Sequence, residues 1–343
     1  MAITRWVLSN CNDSLRRKDV LFWTSFFNGI FRIDFIPNQK VCELKDVISF
    51  ERVAGGAPAN VSAVVAKLGG KSNFISKLGK DAFGDYIIET LKEANVNTDY
   101  VLRTDKANTG LAFVSLKEDG NRDFSFYRNP SADMLLEESE VKKEWFEDCH
   151  SMHFCSVDLI ECPMKYAHKK AIEFALENKS IISFDPNVRL PLWDSEDACR
   201  DAIMEFLPLA HVVKISDEEL EFVTGYDNMD EAKEVLFKGN VNMVLFTKGK
   251  DGAEAYTKDR VVKIPGNIVD VVDTTGAGDS FIGSFLFKLL EDDVNMEQLN
   301  SISDEKLREY LTFANAYAAY STTKKGAIGS YATLDEIIKY MDK

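Results

Sequence analysis

The chain contains no run near the ~18 apolar residues that a membrane-crossing helix requires. Its longest candidate, Val20 to Phe31, is interrupted by Thr24, Ser25, Asn28 and Gly29. The first residues lack the basic start, apolar core and small-residue cleavage site of a secretory leader. The glycosylation sequon at Asn60 and Ser62 therefore has no secretory setting to act in. Cysteine is sparse and unpatterned: Cys11, Cys42, Cys149, Cys155, Cys162 and Cys199 form no C-x-x-C pair, which reads as a set of reduced thiols. These absences point to the cytoplasm. Positive charge is also short, with 41 Lys and Arg against 56 Asp and Glu, a formal net charge of −15. Nucleic acids and anionic membranes favour a basic face, so neither is an expected partner. A local pocket for an anionic small molecule remains compatible with that field.

No repeat, low-complexity tract or Pro/Gly-rich linker divides the 343 residues. At about 150 residues per domain, the length fits two domains or one large α/β domain. Apolar residues at 45% and charged residues at 28% exclude wholesale disorder. From Ala63 onward, helical patterns alternate with short apolar runs. Strands are expected at Ser151–Val157, Ser180–Asp185, Val212–Ile215 and Val241–Thr247. Helices are expected at Asn60–Leu68, Asp85–Asn95, Met164–Asn178, Ser195–Leu207, Asp217–Thr224 and Asp230–Phe237. Alternation of this kind implies a mainly parallel sheet with helices on both faces. Thr109–Leu116 and Arg122–Arg128 instead flank an Asp119-Gly120 turn and read as a hairpin, which with Val41–Val53 would form a small sheet over the strand ends. Residues 1–27 fit neither period and read as an atypical extension before a domain spanning 28–343.

Chemistry concentrates in Asp273-Thr274-Thr275-Gly276-Ala277-Gly278-Asp279, followed by the helical run Ser280–Leu290. Glycines at a helix entrance permit close approach, and the free N–H groups there form an anion site. Asp279 lies in that first turn. A carboxylate beside a phosphate cradle repels phosphate, and general-base work on an attacking hydroxyl gives it a purpose. The plainer reading is an acid favouring a helix N-terminus, worth ~0.3–1 kcal/mol. Two other phosphate motifs fail: Val65 replaces the first glycine of a P-loop ending at Gly70-Lys71-Ser72, and Phe281 replaces the last glycine of a dinucleotide fingerprint. A second glycine cluster, Gly55-Gly56-Ala57-Pro58-Ala59-Asn60, opens another helix. Cys149, His150, His153 and Cys155 invite a zinc reading, but strand alternation turns His150 away from the other three.

Taken together, Ala54–Asn60 with Gly69, Gly70 and Gly79, and Asp273–Asp279, resemble the two signatures of ribokinase-like (phosphofructokinase-B-type) carbohydrate kinases. The blocks Ala54–Asn60, Gly79–Gly84, Thr109–Val114 and Phe124–Asp133 resemble fructokinases within that family, and the likeness runs from about Ile33 to Asp342. The resemblance implies a three-layer α/β/α sandwich with a mainly parallel central sheet and a small β-sheet lid, its strands drawn from about 41–53 and 109–128. It implies ATP-dependent phosphorylation of a sugar, fructose at its C6 hydroxyl first, with 2-keto-3-deoxygluconate or another ketose as the alternative acceptor. A catalytically silent sugar- or nucleotide-binding regulator is the non-enzyme alternative. Asp279 matches the base, and Gly276, Ala277 and Gly278 the anion hole. Asp34, Gly55, Gly56 and Asn60 match sugar-holding positions, Arg128 an arginine reaching the acceptor, and Arg189 one near the phosphates. Thr247, Gly249, Gly252, Asn315 and Gly326 match the nucleotide site. Glu219 matches an indirect Mg2+ position, and Asp273, Thr275 and Ser330 surround K+ in potassium-activated relatives. A lid sheet of this kind also implies a homodimer formed through it. The chain departs from the pattern at its first strand, usually Gly-Glu-x-x-x-Asp: Gly29 and Asp34 fit, but Ile30 stands in the Glu place and Arg32 in an apolar one. A distorted first strand is the expected consequence. Ser216 likewise replaces the Asn of the metal-organising segment that ends at Glu219.

Overall fold

A computed structural model describes residues 24–39, 42–116 and 122–342. The segment 1–23 and the Asp119-Gly120 turn lie outside the described residues.

The main sheet has nine strands. Val261–Ile264 (β13), Ala253–Tyr256 (β12) and Met243–Thr247 (β11) form its antiparallel edge. Val212–Ser216 (β10), Ile181–Asp185 (β9), Cys149–Cys155 (β8), Thr24–Asn28 (β1), Lys71–Gly79 (β4) and Val101–Thr104 (β5) continue it in parallel. Strands such as β11, apolar from Met243 to Phe246, read as continuous apolar runs because both faces are covered. Successive residues alternate between the two cores. Phe27, Phe74, Val212 and Leu245 point into one core, while Phe26, Ile75, Val213 and Val244 point into the other. The first core is closed by Ala57–Lys67 (α1), Ala82–Glu93 (α2), Ala277–Glu291 (α7), Asp304–Thr322 (α8) and Leu334–Met341 (α9). The second is closed by Pro163–Glu177 (α3), Glu196–Phe206 (α4), Asp217–Thr224 (α5) and Met229–Leu236 (α6). The expected three layers are present, and the helix and strand ends fall within a few residues of their expected places.

The first strand corrects the sequence reading. β1 pairs in parallel with both β4 and β8, with a single register shift at Thr24/Ser25. A boundary between residues 27 and 28 therefore falls inside a central strand, where Phe26 and Phe27 are fully buried. Phe26 and Phe27, which precede that boundary, face the two cores from a strand buried on both faces. The segment carrying Asp34 is a different strand, Arg32–Pro37 (β2), and it belongs to the lid. Gly29, with φ of +150°, begins the bend between the two. A Cβ there would meet the Pro58 ring at 2.6 Å and Asp158 Oδ2 at 2.7 Å.

The lid is a four-stranded sheet ordered Phe50–Gly55 (β3), β2, Leu111–Leu116 (β6) and Arg122–Tyr127 (β7). The hairpin pairing of β6 and β7 matches expectation, while the region before Phe50 holds only a short 3-10 turn at Leu44–Asp46.

α7 crosses α1 at very short range. A Cβ on Gly283 would stand 2.8 Å from Val64 Cβ and 3.1 Å from the Val61 carbonyl oxygen. This close crossing sets the register of the two glycine-led helix entrances. No helix among the described residues is long and apolar enough to cross a membrane.

Candidate active site

Both glycine clusters meet at the carboxyl ends of the parallel strands, where α/β sheets present their ligand crevices. Gly276 adopts φ of +75° as the N-cap of α7. Its carbonyl accepts from Tyr331 Oη at 3.1 Å, and a Cβ would fall 2.3 Å from that hydroxyl. Only glycine holds this turn. The Ala277 N–H turns back to the Thr274 carbonyl at 3.2 Å. Gly278 and Asp279 therefore supply the first-turn donors that a helix leaves without intrahelical partners.

Asp279 is buried, 8% exposed, and its Oδ2 accepts from Asn60 Nδ2 at 2.8 Å. Asn60 lies one turn before Val64, and Asp279 one turn before Gly283, so the close crossing of the helices places this bond. Burial pushes the Asp279 carboxyl up. The Asn60 hydrogen bond and the Lys214 and Arg189 charges pull against that shift, and Glu219 adds to it.

Beneath Gly278 lies Lys214 of β10, whose Nζ is 3.2 Å from Asp185 Oδ2 and 3.9 Å from Glu219 Oε2. Burial alone would lower this ammonium. Asp185 and Glu219 outweigh that penalty and hold it above the usual lysine range. Asp185, at the end of β9, is pushed up to about 7 by burial despite the lysine, with Glu219 and Asp279 adding negative charge. Glu219 is also penalised by burial, yet Lys214 and bonds from Ser216 and Val188 keep it below the ordinary value. Its Oε1 accepts from Val188 N–H at 2.8 Å. Its Oε2 accepts from Ser216 N–H at 3.1 Å and Oγ at 2.8 Å. Glu219 is therefore a capping-box residue that also balances the lysine.

On the acceptor side, Gly55 lies against Asp34: a Cβ there would stand 2.3 Å from Asp34 Oδ2. The six residues Gly55–Asn60 thus touch Asp34 at one end and Asp279 at the other. Asp34 Oδ1 accepts from Arg32 Nε at 2.7 Å, and the Arg32 guanidinium stands 5.2 Å from the Phe126 ring centroid.

Arg128, expected to reach the acceptor, is held by partners inside the protein. Its Nε and Nη2 donate to Asp133 Oδ2 at 2.9 and 2.6 Å, its Nη1 to the Val157 carbonyl at 3.0 Å, and its Nη2 also to Asp158 Oδ1 at 2.5 Å. A guanidinium buried this deeply must have carboxylate partners, so most of its fork is committed inside the protein. Arg189 is exposed, donates Nη1 to the Val188 carbonyl at 2.8 Å, and its charge reaches Asp279.

Thr247 ends β11 beside Ser216, and Gly249 and Gly252 follow with φ of +50° and +101°. Asn315 Nδ2 donates to the Pro265 carbonyl at 3.0 Å, and Gly326 N–H to Asp273 Oδ2 at 2.9 Å. Asp273 Oδ1 accepts from Thr275 N–H and Oγ1 at 2.9 and 2.7 Å, and Ser330 Oγ donates to the Ala327 carbonyl at 2.7 Å. The β8 cysteines and histidines form no zinc site: His153 Nδ1 pairs with Ser183 Oγ at 3.0 Å, and no cluster of three metal-ligating side chains occurs among the described residues.

The family model for pfkB family carbohydrate kinases matches residues 26–334. The chain belongs to the pfkB family of carbohydrate kinases. This pfkB chain is 43% identical to "Probable fructokinase-5" of Arabidopsis thaliana over 316 residues, covering 91% of this chain and 95% of that protein. It is 44% identical to "Fructokinase-2" of Zea mays over 307 residues, covering 89% and 90%. Among solved structures, the ATP-bound fructokinase of Xylella fastidiosa superposes with a TM-score of 0.87 at 32% identity, covering 93% and 98%. The fructokinase of Vibrio cholerae O395, with fructose, ADP and calcium bound, gives 0.82 at 29% identity, covering 93% and 99%.

Three groups central to this pfkB site, Lys214, Asp133 and Asp158, escaped the sequence reading. Lys214 carried a signal: a lysine inside the apolar run Val212–Ile215 has to meet buried anions. Asp133 and Asp158 carried none, because their importance depends on where Arg128 points.

Proposed function

We propose that the chain is an ATP-dependent fructokinase that phosphorylates D-fructose at the C6 hydroxyl, forming fructose 6-phosphate and ADP. The observation that carries this reading is the Gly55–Asn60 stretch, which abuts Asp34 and hydrogen-bonds Asp279, placing an acceptor-binding acid and a buried base on one wall. The fructokinase relatives support the same acceptor.

In this mechanism Asp34, Gly55, Gly56 and Asn60 hold the sugar. Asp279 takes the O6 proton as O6 bonds to the γ-phosphorus and the β–γ bridging oxygen leaves with ADP. The Gly276–Gly278 turn faces the charge that develops on the transferring group. Thr247, Gly249, Gly252, Asn315 and Gly326 form the nucleotide wall, and Arg189 meets the phosphates. Glu219 is the residue that would contribute charge toward Mg2+, and the ion would neutralise phosphate charge there. Asp273, bonded to Thr275 and Gly326, together with Thr275 and Ser330 are the residues that would surround K+. The lid's aromatic face, Phe35, Phe50, Phe113 and the exposed Tyr127, supports a homodimer through that sheet. The free thiols fit a cytoplasmic setting.

An acceptor panel of fructose, 2-keto-3-deoxygluconate, ribose and adenosine with ATP and Mg2+ tests the substrate. Fructose should show the highest kcat/KM. Preference for the keto acid would overturn the reading, and Arg128, already neutralised by two carboxylates, argues against that outcome.

The pH profile tests the base. A protonated Asp279 cannot accept the O6 proton, and burial raises its pKa. Activity should therefore fall as pH drops through a value above the ordinary aspartate range of about 4. An acid limb of kcat/KM at or below that value would remove Asp279 from this role.

A further inference from the structure

The acid missing from position 30 has a counterpart elsewhere in the fold. Ile30 is fully buried in a small apolar cluster with Cys155 and Val157. Its N–H donates to Asp158 Oδ2 at 2.5 Å, and the other oxygen of the same carboxylate accepts from Arg128 Nη2 at 2.5 Å. Val157, packed against Ile30, is also the residue whose carbonyl accepts from Arg128 Nη1. One carboxylate thus bridges the backbone of position 30 and the Arg128 guanidinium. Asp158 is 0% exposed, so its only justification for remaining there is its pairing.

We infer that Asp158 is a positioning residue for the acceptor site, supplying from the loop after β8 the carboxylate that this chain lacks at Ile30. The location gives it a mechanical role. Arg128 follows lid strand β7, whereas Asp158 and Val157 follow β8 of the central sheet, so the guanidinium ties lid to body. Asp133 lies in the short 3-10 turn Ala132–Leu135, which packs on β4 and α3 of the body, so both carboxylates hold the arginine from the body side, and Asp158 alone also reaches the backbone of Ile30. The inference rests on the fructose-phosphorylating reading proposed above.

The test compares wild type, Asp158→Asn, Ile30→Glu and the double variant, measuring KM and kcat for fructose and for ATP. Wild-type turnover of fructose is established first; its absence would defeat the substrate reading rather than this inference. Asp158→Asn keeps the shape and removes the charge, so KM for fructose should rise at least ~10-fold with KM for ATP unchanged. Ile30→Glu alone crowds a third carboxylate into the cluster and should impair the enzyme, yet in the Asp158→Asn background it should restore most of the lost fructose affinity. That reversal of sign is something a purely structural loss does not produce. An unchanged fructose KM in Asp158→Asn, or equal harm from Ile30→Glu in both backgrounds, overturns the inference. Should Asp158→Asn fail to fold, the double variant decides: a folded enzyme with near wild-type fructose KM supports the exchange, and a second failure to fold overturns it.

Discussion

Asp279→Asn should bind ATP as the wild type does while kcat falls at least ~10²-fold, the usual contribution of a general base. The amide has nearly the shape of the carboxylate, and Asn60 can turn its own amide to keep a hydrogen bond across the 2.8 Å gap. The helix entrance, the Gly276 turn and the anion-binding N–H groups therefore stay in place. What disappears is the basic, charged carboxylate that would take the hydroxyl proton. Equilibrium binding of ATP alongside steady-state turnover separates the two roles. Near-normal kcat would show that the proton leaves by another path, and lost ATP binding would show that Asp279 serves the pocket's shape instead.

Lys214→Met should be the most damaging single change to the body of the enzyme. The lysine is the buried cation facing Asp185 and Glu219, and its charge also reaches Asp279. Removing one partner of a buried ion pair costs about 3–5 kcal/mol because the remaining charges stay desolvated. The urea midpoint of the variant should fall accordingly. Loss of the cation also raises the Asp279 pKa further, since Lys214 is one of the groups holding it down. The acid limb of kcat/KM should then move to still higher pH. Unchanged stability and an unchanged limb would together mean that the three acids are balanced without the lysine.

The layered core was legible because both faces of the sheet are buried. Runs such as Val241–Thr247 announced themselves by composition, and α5 was expected at Asp217–Thr224, where it is found. The glycine turn and Asp279 at its helix start were legible as a motif, while the proposed base role comes from the family resemblance. The first strand was harder to read. A strand that is short and buried on both faces shows no alternation, so Thr24–Asn28 fits neither period. Arg128 was harder still. The sequence shows its residue type beside a lid strand, but its partners lie 5 residues away at Asp133 and 30 away at Asp158, and no local pattern announces a contact made by folding. The same reasoning covers Glu219, where the sequence shows an acid near a helix start and only the fold shows both oxygens spent on Ser216 and Val188.

The bare α-carbon at Gly283 acts on chemistry one helical turn away. Because α7 rests on Val64 with no side chain between, the gap between proton acceptor and amide partner is a packing dimension rather than a loop conformation. A methyl wedge at that crossing would work like a shim under one leg of a tripod, tilting Asp279 off Asn60 while every residue around the sugar kept its identity. Reaction geometry in this enzyme is thus gauged from the interior outward.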